Sequence, residues 1–289
     1  MAKDPAPPSP PAAPPLAGVR RVIAVASGKG GVGKSTTAIN LAVSLKQTGG
    51  GASVGLLDAD IYGPSMAMMF GIQGRPQVNQ DRKMLPLEGY GIKVISMSFL
   101  SDPDKPVIWR GPMVHGLLQQ FVRDVDWGTL DYLVIDLPPG TGDAQLSLSQ
   151  IIDITGVVIV TTPQDVSLID ARKGLQMFRQ MKVPVLGIVE NMSYFACPHC
   201  GERTEIFRSG GGQRAAAELS VPFLGAIPLD PAVVVGGDEG RPVCVADPEA
   251  PASQAFTSFA TKVVENLKIA AGEERPQQAP IMPDSFGWK

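Results

Sequence analysis

The chain has 289 residues, 3 Cys, 2 His and a formal net charge of -3. Three cysteines cannot staple a chain this long, so a disulfide scaffold is excluded, and the small net charge argues against a nucleic-acid protein that works by bulk charge. With only His115 and His199 present, little room is left for a His dyad or a three-His metal site. No apolar run reaches ~18 residues, so no membrane insertion is expected. The first residues lack the apolar centre of a secretory signal and the Arg/Ser richness of a transit peptide. A reducing cytoplasm is the expected compartment, with the mitochondrial matrix as the alternative.

Seven of the 27 prolines fall between Pro5 and Pro15. Proline removes backbone donors and favours extended chain, which predicts a disordered arm over 1–17. Next come short apolar runs at Val22–Ala26, Ser53–Leu57, Ile92–Met97, Tyr132–Ile135, Val157–Val160, Val185–Val189 and Phe223–Ile227. Most are apolar at consecutive positions, as strands buried on both faces are. Helical patterns fit Lys34–Lys46, Met113–Arg123, Val166–Met181, Gln213–Leu219 and Ser253–Ile269. The alternation predicts an α/β fold, a doubly wound and mostly parallel sheet flanked by helices. At ~150 residues per domain the length suggests two domains, but no linker interrupts 18–271, so one domain is expected. Pro-, Gln- and Glu-rich 272–289 reads as a loose tail.

Val22–Ser27 runs into Gly28-Lys29-Gly30-Gly31-Val32-Gly33-Lys34-Ser35-Thr36. This satisfies G-x-x-x-x-G-K-[ST], with a strand before and a helix after. The glycines let backbone N–H groups turn inward around phosphate oxygens, and the helix opening near Lys34 adds its positive end. Lys34 is expected to reach the β- and γ-phosphates, Ser35 to ligate Mg2+, and Thr36 to lie beside the α-phosphate. Lys29 is one lysine more than such a loop needs. The loop resembles the deviant loop of the MinD/ParA and nitrogenase iron-protein class, in which the extra lysine crosses a dimer interface to the partner's nucleotide. The resemblance implies that Lys29 works as an arginine finger does; a solvated surface lysine is the plain alternative.

Asp58-Ala59-Asp60 follows the Val54–Leu57 run. Two Asp just past a strand's carboxyl end stand where open α/β sheets bind ligands, although an Asx turn would use them too. The resemblance puts activation of the attacking water on Asp60, with Asp58 orienting Mg2+-bound water. Leu133–Asp136 is an apolar run ending in Asp, as a Walker B segment does, and Asp136 would hold Mg2+ opposite Ser35. Leu137–Asp143 then looks like a switch loop hinged at Gly140 and Gly142. Asn191 closes the Val185–Glu190 run. In the resembled class an Asn here reads the adenine edge, since an amide both donates and accepts, so ATP is expected over GTP. Ile227–Asp230 is a candidate wall for the base.

Cys197-Pro198-His199-Cys200-Gly201 is a metal-knuckle pattern. Three readings compete: a thioredoxin-like redox pair, half of a zinc site and an iron–sulfur seat. The redox reading wants a helix after the pair, and Glu202-Arg203-Thr204-Glu205 has no apolar helical face. The other two want about four ligands. The chain offers two, with His199 doubtful and Cys244 distant in an apolar stretch that suggests a buried thiol. The count predicts sharing around a two-fold axis. Thiolates suit zinc and iron alike.

Residues 18–270 resemble the Mrp/ApbC iron–sulfur cluster carriers. The resemblance rests on Ala26–Thr37, Leu57–Ser65, Trp109–Met113, Asp136–Asp143, Thr162–Asp165, Glu190–Ser193 and Cys197–Cys200, in the family's order. It implies a homodimer that binds ATP and hydrolyses it slowly. It also implies a labile cluster, expected to be 4Fe–4S, bridged by Cys197 and Cys200 of both subunits and passed to apo iron–sulfur proteins. On this reading the nucleotide state, sensed by Asp60 and Asp136–Asp143, biases the cysteines. The main rival is a MinD/ParA-like spatial-organisation ATPase with a structural zinc at its dimer interface. It would want a basic amphipathic terminal helix, whereas Phe256, Phe259, Val263 and Leu267 fit core packing. A reductase like the nitrogenase iron protein would hold its cluster through two well-separated cysteines per subunit.

Overall fold

The computed structural model describes residues 16–273 except 62, 64, 101–110, 141 and 198, and only the backbone of 111, 112, 114, 143 and 144. Most of the arm and tail, and Trp109 and Arg110, therefore lie outside the described residues. In chain order the elements are β1 (Val19–Ser27), α1 (Lys34–Thr48), β2 (Val54–Asp58), α2 (Met66–Met69), β3 (Leu87–Gly89), β4 (Ile92–Ser96), α3 (Gly111–Arg123), β5 (Leu130–Asp136), α4 (Asp143–Ile151), β6 (Gly156–Thr161), α5 (Asp165–Gln180), β7 (Val185–Glu190), β8 (Phe195–Ala196), β9 (Arg203–Thr204), α6 (Gly211–Glu218), β10 (Phe223–Ala226), α7 (Pro231–Asp238), α8 (Val243–Ala246) and α9 (Pro251–Ala270).

Eight strands form one sheet in the order β10-β7-β6-β1-β5-β2-β4-β3. Only β3 runs antiparallel, against β4. The consecutive apolar runs have the predicted cause: β2 and β6 are buried at every position. Along β1, side chains alternate between two cores. Ile23 and Val25 join the α1 and α9 side, with Phe256, Phe259, Val263 and Leu267. Val22, Ala24 and Ala26 join the α3, α4 and α5 side, with Phe121, Leu148 and Phe178. Each fully buried Phe contributes roughly 1.5–3 kcal/mol. The apolar stripe of α9 is thus occupied by the core, as expected.

Strand order reverses at β1, which pairs with β5 on one side and β6 on the other. The carboxyl ends beside that reversal are where an open sheet receives a ligand. All seven predicted runs are strands of this sheet. The sequence reading lacks β3, α2, α4, α7, α8 and the β8–β9 pair. Asp230 caps α7, accepting from Ala232 N at 2.9 Å, and Pro231 opens the helix. Order also reaches beyond the predicted boundaries. Leu16 O accepts from Val19 N at 3.1 Å, and Glu273 pairs with Arg21.

Candidate functional site

The phosphate-loop sequence leaves the central strand at the carboxyl edge of the sheet. Gly33 has φ 78°, and a Cβ on it would fall 2.1 Å from Asn191 Nδ2. The position therefore needs both left-handed backbone and a bare Cα. The first turn of α1 has no side-chain cap and no acidic residue, so its N–H groups and positive end are available to an anion. Gly28, Gly30, Gly31 and Val32 complete the turn, and Thr36 stands on α1 at its mouth. Lys29 is half-buried and has no ion-pair partner among the described residues.

Parallel register puts Asp58 of β2 level with Asp136 of β5. Both are buried, at 1% and 0% exposure. Lys34 Nζ lies 2.5 Å from Asp136 Oδ1 and 3.7 Å from Asp60 Oδ2. Ser35 Oγ donates to Asp136 Oδ2 at 2.5 Å. Asp58 accepts from Ser96 Oγ at 2.7 Å and from the Asp60 backbone N at 3.1 Å. Burial and then the Asp136 charge push the Asp58 carboxyl up to about 7. Burial also raises Asp136, against the pull of Lys34 and Ser35. Asp60 and Asp136 share the one ammonium of Lys34, and the oxygens of Ser35 and Asp136 are the hard donors that Mg2+ takes.

Beside the loop lies a cleft of about 210 Å³, lined by Thr36, Asn191, Met192, Pro228, Leu229 and Val233 among others. Asn191 Nδ2 donates to Val32 O at 2.9 Å. One amide N–H therefore braces the phosphate loop, leaving Oδ1 and the second N–H for a base edge. The structure thus brings Lys34, Ser35, Asp58, Asp60, Asp136 and Asn191 to one end of the sheet.

The cysteines stand on the hairpin of β8 and β9. Cys197 N donates to Glu202 O at 2.9 Å, and Gly201 N to Cys197 O at 2.8 Å. The turn aims the His199 and Cys200 backbone N–H groups at the Cys197 sulfur, which holds that thiol below its ordinary value. Cys197 is partly exposed and Cys200 exposed. Among the described residues no three His, Cys, Asp or Glu stand together as a metal site. Cys244 is fully buried on the α1–α9 side, and burial pushes its thiol up to about 11. Alkylation at pH 8 is expected to modify Cys197 and Cys200 quickly, and Cys244 only after unfolding, because the thiolate is the nucleophile. Mass spectrometry of peptides reads this directly; early labelling of Cys244 would contradict its packing.

Three site residues were missed by sequence reasoning. Ser96 meets Asp58 only through the β2–β4 register. Gln145 donates to Pro138 O at 2.6 Å and so holds the loop after β5. Glu190, fully buried at the end of β7, opens the matched stretch Glu190–Ser193 but was given no role.

A phosphate loop between a central parallel strand and its helix, with an Asp from the adjacent strand on its lysine and serine, defines a P-loop NTPase. Within that class, the ParA-type family described as the NUBPL iron-transfer P-loop NTPase matches residues 18–264, and the chain belongs to it. It is 55% identical over 258 residues to the iron-sulfur cluster carrier protein of Synechocystis sp., covering 88% of this chain and 72% of that one. It is 53% identical over 253 residues to the mitochondrial iron-sulfur protein required for NADH dehydrogenase of Arabidopsis thaliana, covering 88% and 80%. A nucleotide-binding protein of Archaeoglobus fulgidus, solved with ADP, superposes with a TM-score of 0.72 at 41% identity, covering 83% of this chain and 93% of that one. Among the described residues no helix is long and apolar enough to cross a membrane.

Proposed function

We propose that this chain is an ATP-dependent iron–sulfur cluster carrier that acts as a homodimer. A 4Fe–4S cluster is its cargo, seated between the Cys197 and Cys200 pairs of two chains and passed to apo iron–sulfur proteins. The observation that carries the reading is the half-complete seat: two thiols on one knuckle, with no third metal-binding side chain beside them among the described residues. Two such pairs around a two-fold axis supply four ligands. The relatives named as cluster carriers support the choice of cargo.

In hydrolysis the loop N–H groups and Lys34 bind and orient the phosphates. Ser35 and Asp136 would hold Mg2+, which when bound neutralises charge on the β- and γ-oxygens. Asp60 lies beside Lys34 and accepts from Gly63 N at 3.3 Å, a position suited to taking the proton of the attacking water. Asp58, anchored by Ser96, orients water in the same cluster. Asn191 and the Pro228–Leu229 wall receive the adenine. Lys29, half-buried and without an ion-pair partner among the described residues, serves the partner's nucleotide. Lys29→Ala is expected to retain ATP binding and to lose hydrolysis toward the ~10³-fold effect of removing a finger residue. Normal turnover by that variant would sink the assignment.

The test of function is anaerobic reconstitution with iron and sulfide. Brown charge-transfer absorption, lost in Cys197→Ala and in Cys200→Ala, is the expected result. A colourless protein holding one zinc per dimer would replace the carrier reading with that of a zinc-stabilised ATPase.

A further inference from the structure

A single carboxylate holds both ends of the segment that carries the two cysteines. Glu190 Oε1 accepts from Ser193 Oγ at 2.5 Å and from Gly210 N at 3.0 Å, and Oε2 accepts from Gly212 N at 2.5 Å. Ser193 lies before the hairpin of β8 and β9, while Gly210 and Gly212 open α6 after it. The fit is close: a Cβ on Gly212 would sit 3.0 Å from Glu190 Cβ. Glu190 is fully buried, and burying a polar group is costly unless its atoms are hydrogen-bonded, as both of these oxygens are.

The same strand end faces the nucleotide cleft. Asn191, the next residue, grips Val32 O of the phosphate loop. Leu229, a wall of the cleft, donates its N–H to Tyr194 O at 2.7 Å and bridges to Phe195. Tyr194 in turn lies under the guanidinium of Arg203, 4.3 Å from its ring centre. Residues 191–195 thus touch the phosphate loop and the base wall at one end and begin the cysteine hairpin at the other. The loop after β5, expected from sequence to sense the nucleotide, follows a strand separated from β7 by β1 and β6.

We propose that Glu190 is a positioning residue that couples the nucleotide cleft to the thiols of Cys197 and Cys200, by pinning both feet of their hairpin to the strand end that braces the phosphate loop. A displacement at Val32 or Leu229 is then passed to the hairpin instead of being absorbed in a loose loop. The proposal rests on the cleft being the nucleotide site and the pair being the cluster seat. Its test uses cluster-free protein, so a failed reconstitution and a failed coupling are distinguishable.

Iodoacetamide labelling of Cys197 and Cys200 is timed with and without a non-hydrolysable ATP analogue and Mg2+. Nucleotide binding and light scattering are read on the same samples. In the wild-type chain the analogue is expected to change the labelling rate about fivefold or more, the lower end of typical coupling. Glu190→Gln places an amide donor against backbone N–H groups; the change is expected to fall below about twofold with nucleotide affinity retained. Alkylated wild-type protein is expected to bind the analogue with altered affinity, and alkylated Glu190→Gln with the affinity of the unalkylated variant. Should that variant fail to fold, Ser193→Ala keeps the carboxylate, removes one foot, and is expected to reduce the change. A wild-type rate indifferent to the analogue, or an undiminished change in the variant that folds, overturns the proposal. So does a variant that has lost nucleotide binding or nucleotide-dependent dimerisation outright.

Discussion

Lys34→Met is expected to abolish ATP binding and to lower stability by about 3–5 kcal/mol at pH 8, the usual cost of removing one partner of a buried ion pair, with a smaller loss at pH 5. The lysine has two tasks. It faces the place where phosphate oxygens are held, and its ammonium, 6% exposed, neutralises Asp136 and Asp60. Methionine keeps the length of the side chain and removes the charge, so Asp136 is left buried with only the Ser35 hydroxyl on it. The pH dependence follows from direction. Burial raises the Asp136 carboxyl and brings Asp58 to about 7, and loss of the ammonium raises both further. A group whose folded value lies above its unfolded one contributes stability in full below the unfolded value, about 3.9 for Asp. That stability is lost as pH rises through the folded value. The wild-type chain loses stability in the same way up to its own folded values, so the deficit of the variant should grow only above those, from about pH 7 for Asp58. Urea midpoints of both proteins at pH 5 and pH 8, without nucleotide or Mg2+, measure it. A deficit that is flat or larger at pH 5 would show that Lys34 is not the counter-charge of these carboxylates.

Equal amounts of wild-type chain and the double variant Cys197→Ala, Cys200→Ala, allowed to exchange subunits before reconstitution, are expected to give cluster in only about a quarter of the dimers. Random pairing makes that fraction the square of the wild-type share. The physical reason lies in the ligand count. Each chain presents two thiols on a knuckle, with the Cys197 sulfur already surrounded by backbone N–H groups. A two-fold axis repeats every substitution, so one changed cysteine per chain removes two of about four ligands from a shared site. For that reason single substitutions should be nearly as damaging as the double one. Iron and sulfide per dimer across a series of mixing ratios measure the effect. Cluster content that falls linearly with the wild-type share would mean that each chain fills its own site, and the shared seat would be wrong.

Much of the site was legible because its chemistry is carried by neighbours in sequence. Gly28–Thr36 needs only one strand and one helix around it, and those two elements follow from local hydrophobic pattern. Asp58, Asp60 and Asp136 could be flagged because each stands at the end of an apolar run. The ligand shortage at Cys197 and Cys200 was countable from composition. Other parts depend on pairing across long separations. The Asp58–Ser96 bond needs the β2–β4 register, and Glu190 reaches Gly210 and Gly212 only once α6 has returned to the end of β7. Asn191 was singled out for a base, yet its amide also braces Val32, a contact 159 positions away in the chain.

The sequence by itself determined the phosphate loop, the carboxylate ends of the strands, the doubly wound architecture and the two-thiol knuckle, because each is written in adjacent residues or in a period of hydrophobicity. Only the tertiary structure decided which carboxylate meets Lys34, what anchors Asp58, and how the cysteine hairpin is tied to the strand end beside the cleft. Those contacts join residues whose proximity is set by sheet order and register, and neither is encoded in any local stretch of the chain.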